Sequence, residues 1–270
     1  MNPAMRFFRW IKNHKQTAGL LRGPRRLAVL AWKVARQVPL LNRLQIPASV
    51  DGHRLWIRLF SYDDLLTISD DYETCLAGVL PPWGGVAVDA GAFIGRHTLA
   101  YARAVGPQGR VVAVEPLGAN FRLLARNVER NGYRQVACVQ CALGREEGTA
   151  QLSYERETST ASLVRDLHHK ISVLQHTLGH VLQELGISHI DLLKLDVEGA
   201  EGAVLEGSLP VLATSPHALL VIEVHGRIAP GQSCPLAAWL REHGFAIEPL
   251  KDGERLFYLA RRAGERGIGD

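Results

Sequence analysis

Four acids and a histidine stand directly behind apolar runs in this chain. Asp89 closes VAVD, Glu115 closes VVAVE, Asp196 closes LLKLD, and Glu223 and His225 close LLVIEVH. An unpaired carboxylate is costly to bury and takes up a proton instead, so such groups belong just past strand ends, where they can reach a ligand. In LLKLDVEGAEGAVLEG, residues 192–207, Asp196, Glu198 and Glu201 crowd around glycines. Carboxylates gathered with a histidine suit proton transfer and the binding of hydroxyls. His225 is the candidate base, and Glu223 orients it or binds a hydroxyl. Lys194 alternates with Asp196 and pairs with a nearby carboxylate, keeping it ionised. The catalytic candidates are therefore His225, Asp196, Glu223 and Lys194. Glu198, at the start of the next helix, and Glu201, three residues on along the same side, are candidates for substrate binding. An acid in a first helical turn also simply favours the dipole. The oxygen-rich set Asp196, Glu198, Glu223 and His225 is of a kind that Mg²⁺ accepts, so Mg²⁺ is a secondary expectation.

A second group surrounds the first acid. Asp89-Ala90-Gly91-Ala92-Phe93-Ile94-Gly95 joins an apolar run to a helical stretch with two spaced glycines. Such glycines let a ligand approach the backbone, and the helix N-terminus offers unpaired N–H groups. The dinucleotide fingerprint G-x-G-x-x-G is not met, because position 93 is Phe. Glu115 follows Gly91 by 24 residues, where an acid accepts hydrogen bonds from both hydroxyls of a ribose. Together these features suggest a nucleoside-bearing cofactor, and an acid-led first loop with spaced glycines suits S-adenosylmethionine.

Positioning such groups requires a scaffold, and the order of elements supplies one. HRLWIRLF, residues 53–60, alternates like a strand. Apolar runs at 85–91, 110–116, 135–142, 190–196 and 217–225 then alternate with helical patterns over about 95–105, 117–131, 172–185, 199–213 and 235–243. Strands alternating with helices mean parallel β-α-β units in a doubly wound sheet. FAIEPL and RLFYLA, joined by KDGE, have no helix between them and should pair antiparallel. The expected fold is α/β, a Rossmann-like sheet of about seven strands ending in an antiparallel hairpin. In such sheets ligands bind beyond the carboxyl ends of the strands, where the acids stand.

VDAGAFIGRHTLAYA, AVEPLGANFRLLARNVERNG, TLGHVLQELGISHIDLLKLDVEGAE and VIEVH, with Tyr72-Glu73 ahead of them, resemble in order and spacing the FkbM family of S-adenosylmethionine-dependent methyltransferases. The resemblance covers about residues 50–260. It implies a class I methyltransferase that methylates oxygen on sugars of glycoconjugates or on polyketide hydroxyls. By position it puts Asp89, Gly91, Gly95, Glu115 and Asp196 around the cofactor, with Ala92, Phe93, His97, Thr98, Asn120 and Ala142 completing the expected set. Two positions depart from the family pattern. Phe93 stands where Asn is usual, bearing on the cofactor wall. Gly179 stands where Asp is usual, which concerns a helix N-cap.

The chain has 270 residues, 47% of them hydrophobic and 21% charged, which excludes a disordered or fibrous class. Residues 1–46 hold ten Lys or Arg and no acid; the remainder has 21 basic against 27 acidic residues, a formal −6. The cations interleave with Phe7, Phe8, Trp10, Leu27, Leu30 and Trp32, so residues 1–49 form a basic amphipathic arm of helical character. Such an arm suits a helical cap on the domain, peripheral contact with an anionic membrane, or nucleic acid, with its aromatics favouring membrane over nucleic acid. Its longest apolar run, LAVLAW, is too short to span a bilayer, and Lys33 and Arg36 interrupt any secretory signal. Domain bounds follow: the arm, an extension over 50–84, the cofactor-binding domain over 85–262 and a disordered tail over 263–270. Cys75, Cys138, Cys141 and Cys234 are too few and scattered for a disulfide scaffold, which suits a reducing, cytoplasmic setting. His176 and His180, four apart in the expected helix, lack an evident third zinc ligand and read as surface histidines.

The leading reading is an O-methyltransferase acting on a small-molecule or glycan acceptor. RNA methylation through the arm is the second, though no Asn-Pro-Pro-aromatic motif follows the fourth strand. A cofactor-fold binding protein without catalysis is the third. No oligomeric state is specified by the sequence.

Overall fold

A computed structural model describes residues 44–154, 161–164, 166–167, 169–225 and 234–264. The basic arm therefore lies outside the described residues up to position 43, as do 265–270 of the expected tail. The first described element corrects the arm's boundary. Gln45–Val50 is a strand (β1), paired antiparallel with His53–Arg58 (β2) through Asp51-Gly52, both at positive φ. Ala48 and Val50 are buried while Pro47 and Ser49 are exposed, a period of two that fits an edge strand, where proline is tolerated. Helix Tyr62–Thr67 (α1) follows, with Ser61 Oγ accepting from Asp64 N at 3.2 Å as its N-cap. Asn127 then fixes the hairpin to the domain: its amide accepts from Trp56 N and donates to Trp56 O and Ile94 O.

From Val86 the alternation appears as read: Val86–Ala90 (β3), Arg96–Val105 (α2), Arg110–Val114 (β4), Gly118–Arg130 (α3) and Val136–Val139 (β5). An insertion of strands follows, Ala142–Leu143 (β6), Gly148–Tyr154 (β7), Ala161–Ser162 (β8) and His169–His176 (β9). The alternation resumes with Leu178–Glu184 (α4), Leu192–Leu195 (β10), Glu201–Ala213 (α5), Leu219–Glu223 (β11) and Pro235–Glu242 (α6). Phe245–Asp252 (β12) and Arg255–Arg262 (β13) close it. Seven strands form one sheet in the order β12-β13-β11-β10-β3-β4-β5, parallel from β11 to β5, with β13 antiparallel to both β11 and β12. Every residue of β3, β10 and β11 is buried, because apolar side chains cover both faces. Leu182 of α4, Leu205 of α5 and Leu240 of α6 pack on one face, and Tyr101 and Val105 of α2 on the other.

The insertion builds a second sheet, β6-β9-β7-β8, and corrects the helix expected over 172–185. Residues 169–174 alternate between half-buried and exposed and pair with β7, Leu152 opposite Ile171, so a period of two wins over helix propensity. The helix starts only at Leu178. Thr177 caps it, its Oγ1 accepting from His180 N at 3.1 Å, so Gly179 lies inside the first turn and is not the cap. Helix α5 likewise starts at Glu201, not at 199, because Glu198 (φ 55°) and Gly199 (φ 106°) form a left-handed turn. All four cysteines are free, and burial pushes Cys138 up to about 11.

Candidate functional site

Strand β3 is neighboured by β4 on one side and β10 on the other, so the chain reverses its direction of build there and leaves a crevice at the carboxyl ends. A cleft of about 250 Å³ opens at that point. Gly91 lies at its floor with φ 80°, and a Cβ at this position would come within 1.8 Å of Asp196 O. Only glycine fits, and the close approach welds the loop after β3 to the loop after β10. Gly91 N and Ala92 N both donate to Val114 O, while Gly95, at φ 95°, starts α2 with Leu124 Cδ1 2.8 Å from where its Cβ would be.

Glu115 follows β4 and is 5% exposed. Its Oε2 accepts from Phe93 N at 3.0 Å, and its Oε1 from Leu117 N at 2.9 Å and Asn120 Nδ2 at 3.3 Å. Burial pushes its pKa up to about 7, against these backbone donors, which pull it down. Phe93 stands at φ 52°, a conformation that a bulky residue rarely adopts, and the bond to Glu115 helps hold it there. The left-handed backbone also accounts for the asparagine expected at this position, since Asn tolerates that region better than Phe.

The other end of the cleft carries Asp196, Glu198, Glu223 and His225. His225 Nδ1 bonds Glu201 Oε1 at 2.7 Å, while Nε2 faces Glu198 Oε2 at 3.4 Å, Asp196 Oδ1 at 3.8 Å and Glu223 Oε1 at 3.9 Å. Burial alone would lower the imidazole's pKa, but the bond to Glu201 and the charges of Asp196 and Glu198 outweigh it and raise it to about 9. These partners favour the protonated imidazole, the form that donates to the acids around it. Its orienting partner is Glu201, not Glu223. Glu201 is 4% exposed, bonded also to Gly199 N, and does not line the cleft, so the expected substrate contact there is replaced by a support for His225.

Glu223 is 8% exposed and lines the cleft; its carboxylate makes no hydrogen bond among the described residues, its contacts there being with His225 and Arg255 at 3.9 Å. Burial, then the charges of Asp196 and Glu73, push its pKa up to about 8. Lys194 is buried behind Asp196, Nζ 3.0 Å from Oδ2, and its pKa rises because Asp196, Glu73 and Asp89 outweigh the cost of burial. Its pairing with a carboxylate is as expected, but it stands behind the cleft wall. Arg255 Nη1 lies 3.9 Å from Glu223 Oε2 and 2.8 Å from Glu73 Oε1.

Gly91, Phe93, Glu115, Asn120, Ala142, Asp196, Glu198, Glu223 and His225 thus share one cleft. Asp89, Ala92, Gly95, His97 and Thr98 stand behind it. Asp89 Oδ2 accepts from Thr98 Oγ1 at 2.5 Å, and its Oδ1 is buried without a hydrogen-bond partner. His97 Nε2 pairs with Glu73 Oε2 at 2.5 Å. Arg255, in the last hairpin, and the apolar wall Leu152, Ala161 and Leu163 from the inserted sheet also line the cleft, though no local sequence pattern marks them. Tyr72, part of the family resemblance, lines it too, under Arg255 at 5.1 Å. Ser162 Oγ fastens that wall to the cleft: it donates to Glu198 O at 2.6 Å and accepts from Val164 N at 3.1 Å.

Among the described residues, three groups of side chains gather metal-ligating atoms within 4.8 Å: Asp196, Glu198 and His225; Glu73, Asp196 and Glu223; and Glu147, His176 and His180. The third lies outside the cleft and supplies the ligand that sequence spacing lacked, with Glu147 Oε2 2.5 Å from His176 Nδ1. A nucleoside cofactor fits the other end. The backbone at Gly91 leaves no room for a side chain, Asp89 has a spare acceptor beneath the loop, and Glu115 offers a buried acid.

The Methyltransferase FkbM domain matches residues 89–249. The 31-O-demethyl-FK506 methyltransferase FkbM of Streptomyces tacrolimicus is 30% identical over 217 residues, covering 66% of this chain and 81% of that protein. Methyltransferase 1 of Beauveria bassiana is 34% identical over 142 residues, 44% of this chain and 57% of its own. The chain therefore spans little more than half of that relative's length. Among solved structures, Aeropyrum pernix fibrillarin in complex with S-adenosyl-L-methionine aligns at 13% identity over 81% of this chain and 83% of that one, with a TM-score of 0.49.

Proposed function

The chain belongs to the FkbM family of S-adenosylmethionine-dependent methyltransferases, and from that premise we propose that its cleft methylates a hydroxyl of a small-molecule or glycan acceptor. One observation carries the reading: the Gly91–Asp196 contact joins an end shaped for a nucleoside to an end lined by carboxylates. Gly91, Phe93, Glu115 and Asn120 would hold the cofactor, Glu115 taking the ribose hydroxyls. When bound, S-adenosylmethionine supplies a methyl on a cationic sulfur; as the acceptor oxygen bonds that carbon, the carbon–sulfur pair stays on sulfur and the hydroxyl proton passes to the protein. Glu223 is the group placed to take it, because its carboxylate lines the cleft between His225 and Arg255; with its pKa raised to about 8 it accepts the proton in its ionised form, which gains population as pH rises toward 8. His225, protonated and held by Glu201, donates a hydrogen bond and fixes the acids around it. Alignment of the reacting atoms supplies much of the acceleration, up to about 7–11 kcal/mol.

The acceptor end pairs these acids with the apolar wall Leu152, Ala161 and Leu163, which suits a hydroxyl carried on a partly apolar frame, as in a polyketide or glycolipid. The basic aromatic arm would bring the domain to an anionic membrane carrying such a substrate. No helix among the described residues is long and apolar enough to cross one. Calorimetric titration with S-adenosylmethionine is expected to give one site per chain, followed by labelled methyl transfer to members of a hydroxyl-bearing glycan and polyketide panel. Binding of NADH in its place would overturn the class. Pelleting with anionic vesicles should require residues 1–43, and equal pelleting without them would remove the membrane step.

A further inference from the structure

Resting on that methyl-transfer reading, we propose that the acceptor end is a divalent-cation site: Asp196 Oδ1, Glu198 Oε2 and His225 Nε2 are the ligands, and Glu223 stands opposite as proton acceptor for a hydroxyl bound to the ion. The three ligand atoms lie within 4.8 Å of one another, and Nε2 is 3.4 Å from Glu198 Oε2 and 3.8 Å from Asp196 Oδ1. Adjacent ligands of a hard cation stand roughly 3–3.5 Å apart, from metal–oxygen distances of about 2.1–2.5 Å, so the two pairs made by His225 Nε2 already lie at or within a few tenths of an ångström of ligand spacing.

The surroundings match what a metal requires of its support. A ligating histidine donates its second ring N–H to a carboxylate, and His225 Nδ1 meets the buried Glu201 at 2.7 Å. Lys194 neutralises Asp196 on Oδ2, leaving Oδ1 turned to the centre. Arg255 faces Glu223 on Oε2, leaving Oε1 turned the same way. Glu223, 8% exposed, turns its carboxylate to the same centre, Oε1 3.9 Å from His225 Nε2 and Oε2 3.9 Å from Arg255 Nη1. Two carboxylates and an imidazole with open positions suit Mn²⁺ or Mg²⁺. The ion takes the place of the Nε2 proton, which leaves to solvent, and polarises the acceptor oxygen. The competing sets are weaker. Glu73 is committed to His97 and Arg255. His176 is paired with Glu147, and His180 Nε2 faces the exposed Glu184 at 3.5 Å.

Calorimetry and Mn²⁺ electron paramagnetic resonance on the chelator-treated full chain test the site. We expect one Mn²⁺ per chain, with affinity reduced at least tenfold by Glu198→Gln and 10- to 100-fold by Glu201→Gln. Glu147→Gln should leave it unchanged. S-adenosylmethionine titrated in the presence of EDTA reports the fold and the cofactor end in each variant. Normal cofactor binding with no Mn²⁺ bound at millimolar concentration would overturn the cation site alone, as would Mn²⁺ binding lost with Glu147→Gln and kept with Glu198→Gln. Loss of cofactor binding by the unmodified chain would overturn the underlying reading instead.

Discussion

At the β4 end of the cleft, both carboxylate oxygens of Glu115 already accept from the protein, from Phe93 N, Leu117 N and Asn120 Nδ2, with acceptor capacity left on Oε2 for a ribose hydroxyl. At the β11 end, Glu223 is about as buried, yet its carboxylate makes no hydrogen bond among the described residues and meets His225 and Arg255 only at 3.9 Å. The first end is shaped before any ligand arrives, as suits a cofactor that never changes. The second holds acids in excess of their cations and leaves the balance to whatever enters. Recognition of a constant ligand is built into backbone, while chemistry on a variable one is left to side chains with free valence.

The comparison breaks most completely at the junction. Gly91→Ala would place a methyl 1.8 Å from Asp196 O and force a left-handed alanine. We expect a loss of about 3 kcal/mol or more, a melting temperature lower by roughly 6 °C or more, and no measurable cofactor binding by calorimetry. Glu223→Gln separates the ends: turnover should fall about 10²–10⁴-fold, while cofactor affinity stays within about twofold, given that the two ends act independently. A matching loss of affinity would show that the ends are not independent.

Glu115→Gln should do the reverse, weakening the cofactor about tenfold by removing charge-assisted bonds of roughly 1.5 kcal/mol. The pH dependence sharpens this. Because burial raises Glu115 to about 7 and the ribose requires the ionised form, affinity should improve as pH rises through 7 in the parent and stay flat in the variant. Stability runs the opposite way. An acid whose folded pKa exceeds its unfolded one stabilises most below the unfolded value, so its contribution is lost between about pH 4.5 and 7, and melting curves of the variant should lack that fall. The smallest effect is expected for Phe93→Asn: relief of the left-handed strain offsets the lost contact with Arg58, 5.5 Å above the ring. Melting should move by no more than about 2–4 °C.

The sheet was legible because its strands are buried on both faces and their apolar runs end in acids, a pattern that needs no tertiary information. Glu115, Asp196, Glu223 and His225 were legible for the same reason. Their states were not. That Nε2 of His225 sits among three carboxylates depends on the Glu198-Gly199 bend, and no periodicity encodes it. The inserted sheet was missed because Ile171, Val173 and their neighbours follow a period of two directly before a helix, and the two patterns ran together. Arg255 was missed because its role comes from Glu73 and Glu223, distant in sequence.

The hydroxyl of Ser162 has a consequence for how such proteins diversify. By gripping the carbonyl of Glu198 it ties the inserted strands to the bend behind Asp196, alongside the Arg145–Glu206 pair and the packing of Leu143 in the core. A graft from a relative that preserves a hydroxyl there would bring a new acceptor wall while leaving the reactive carboxylates in register.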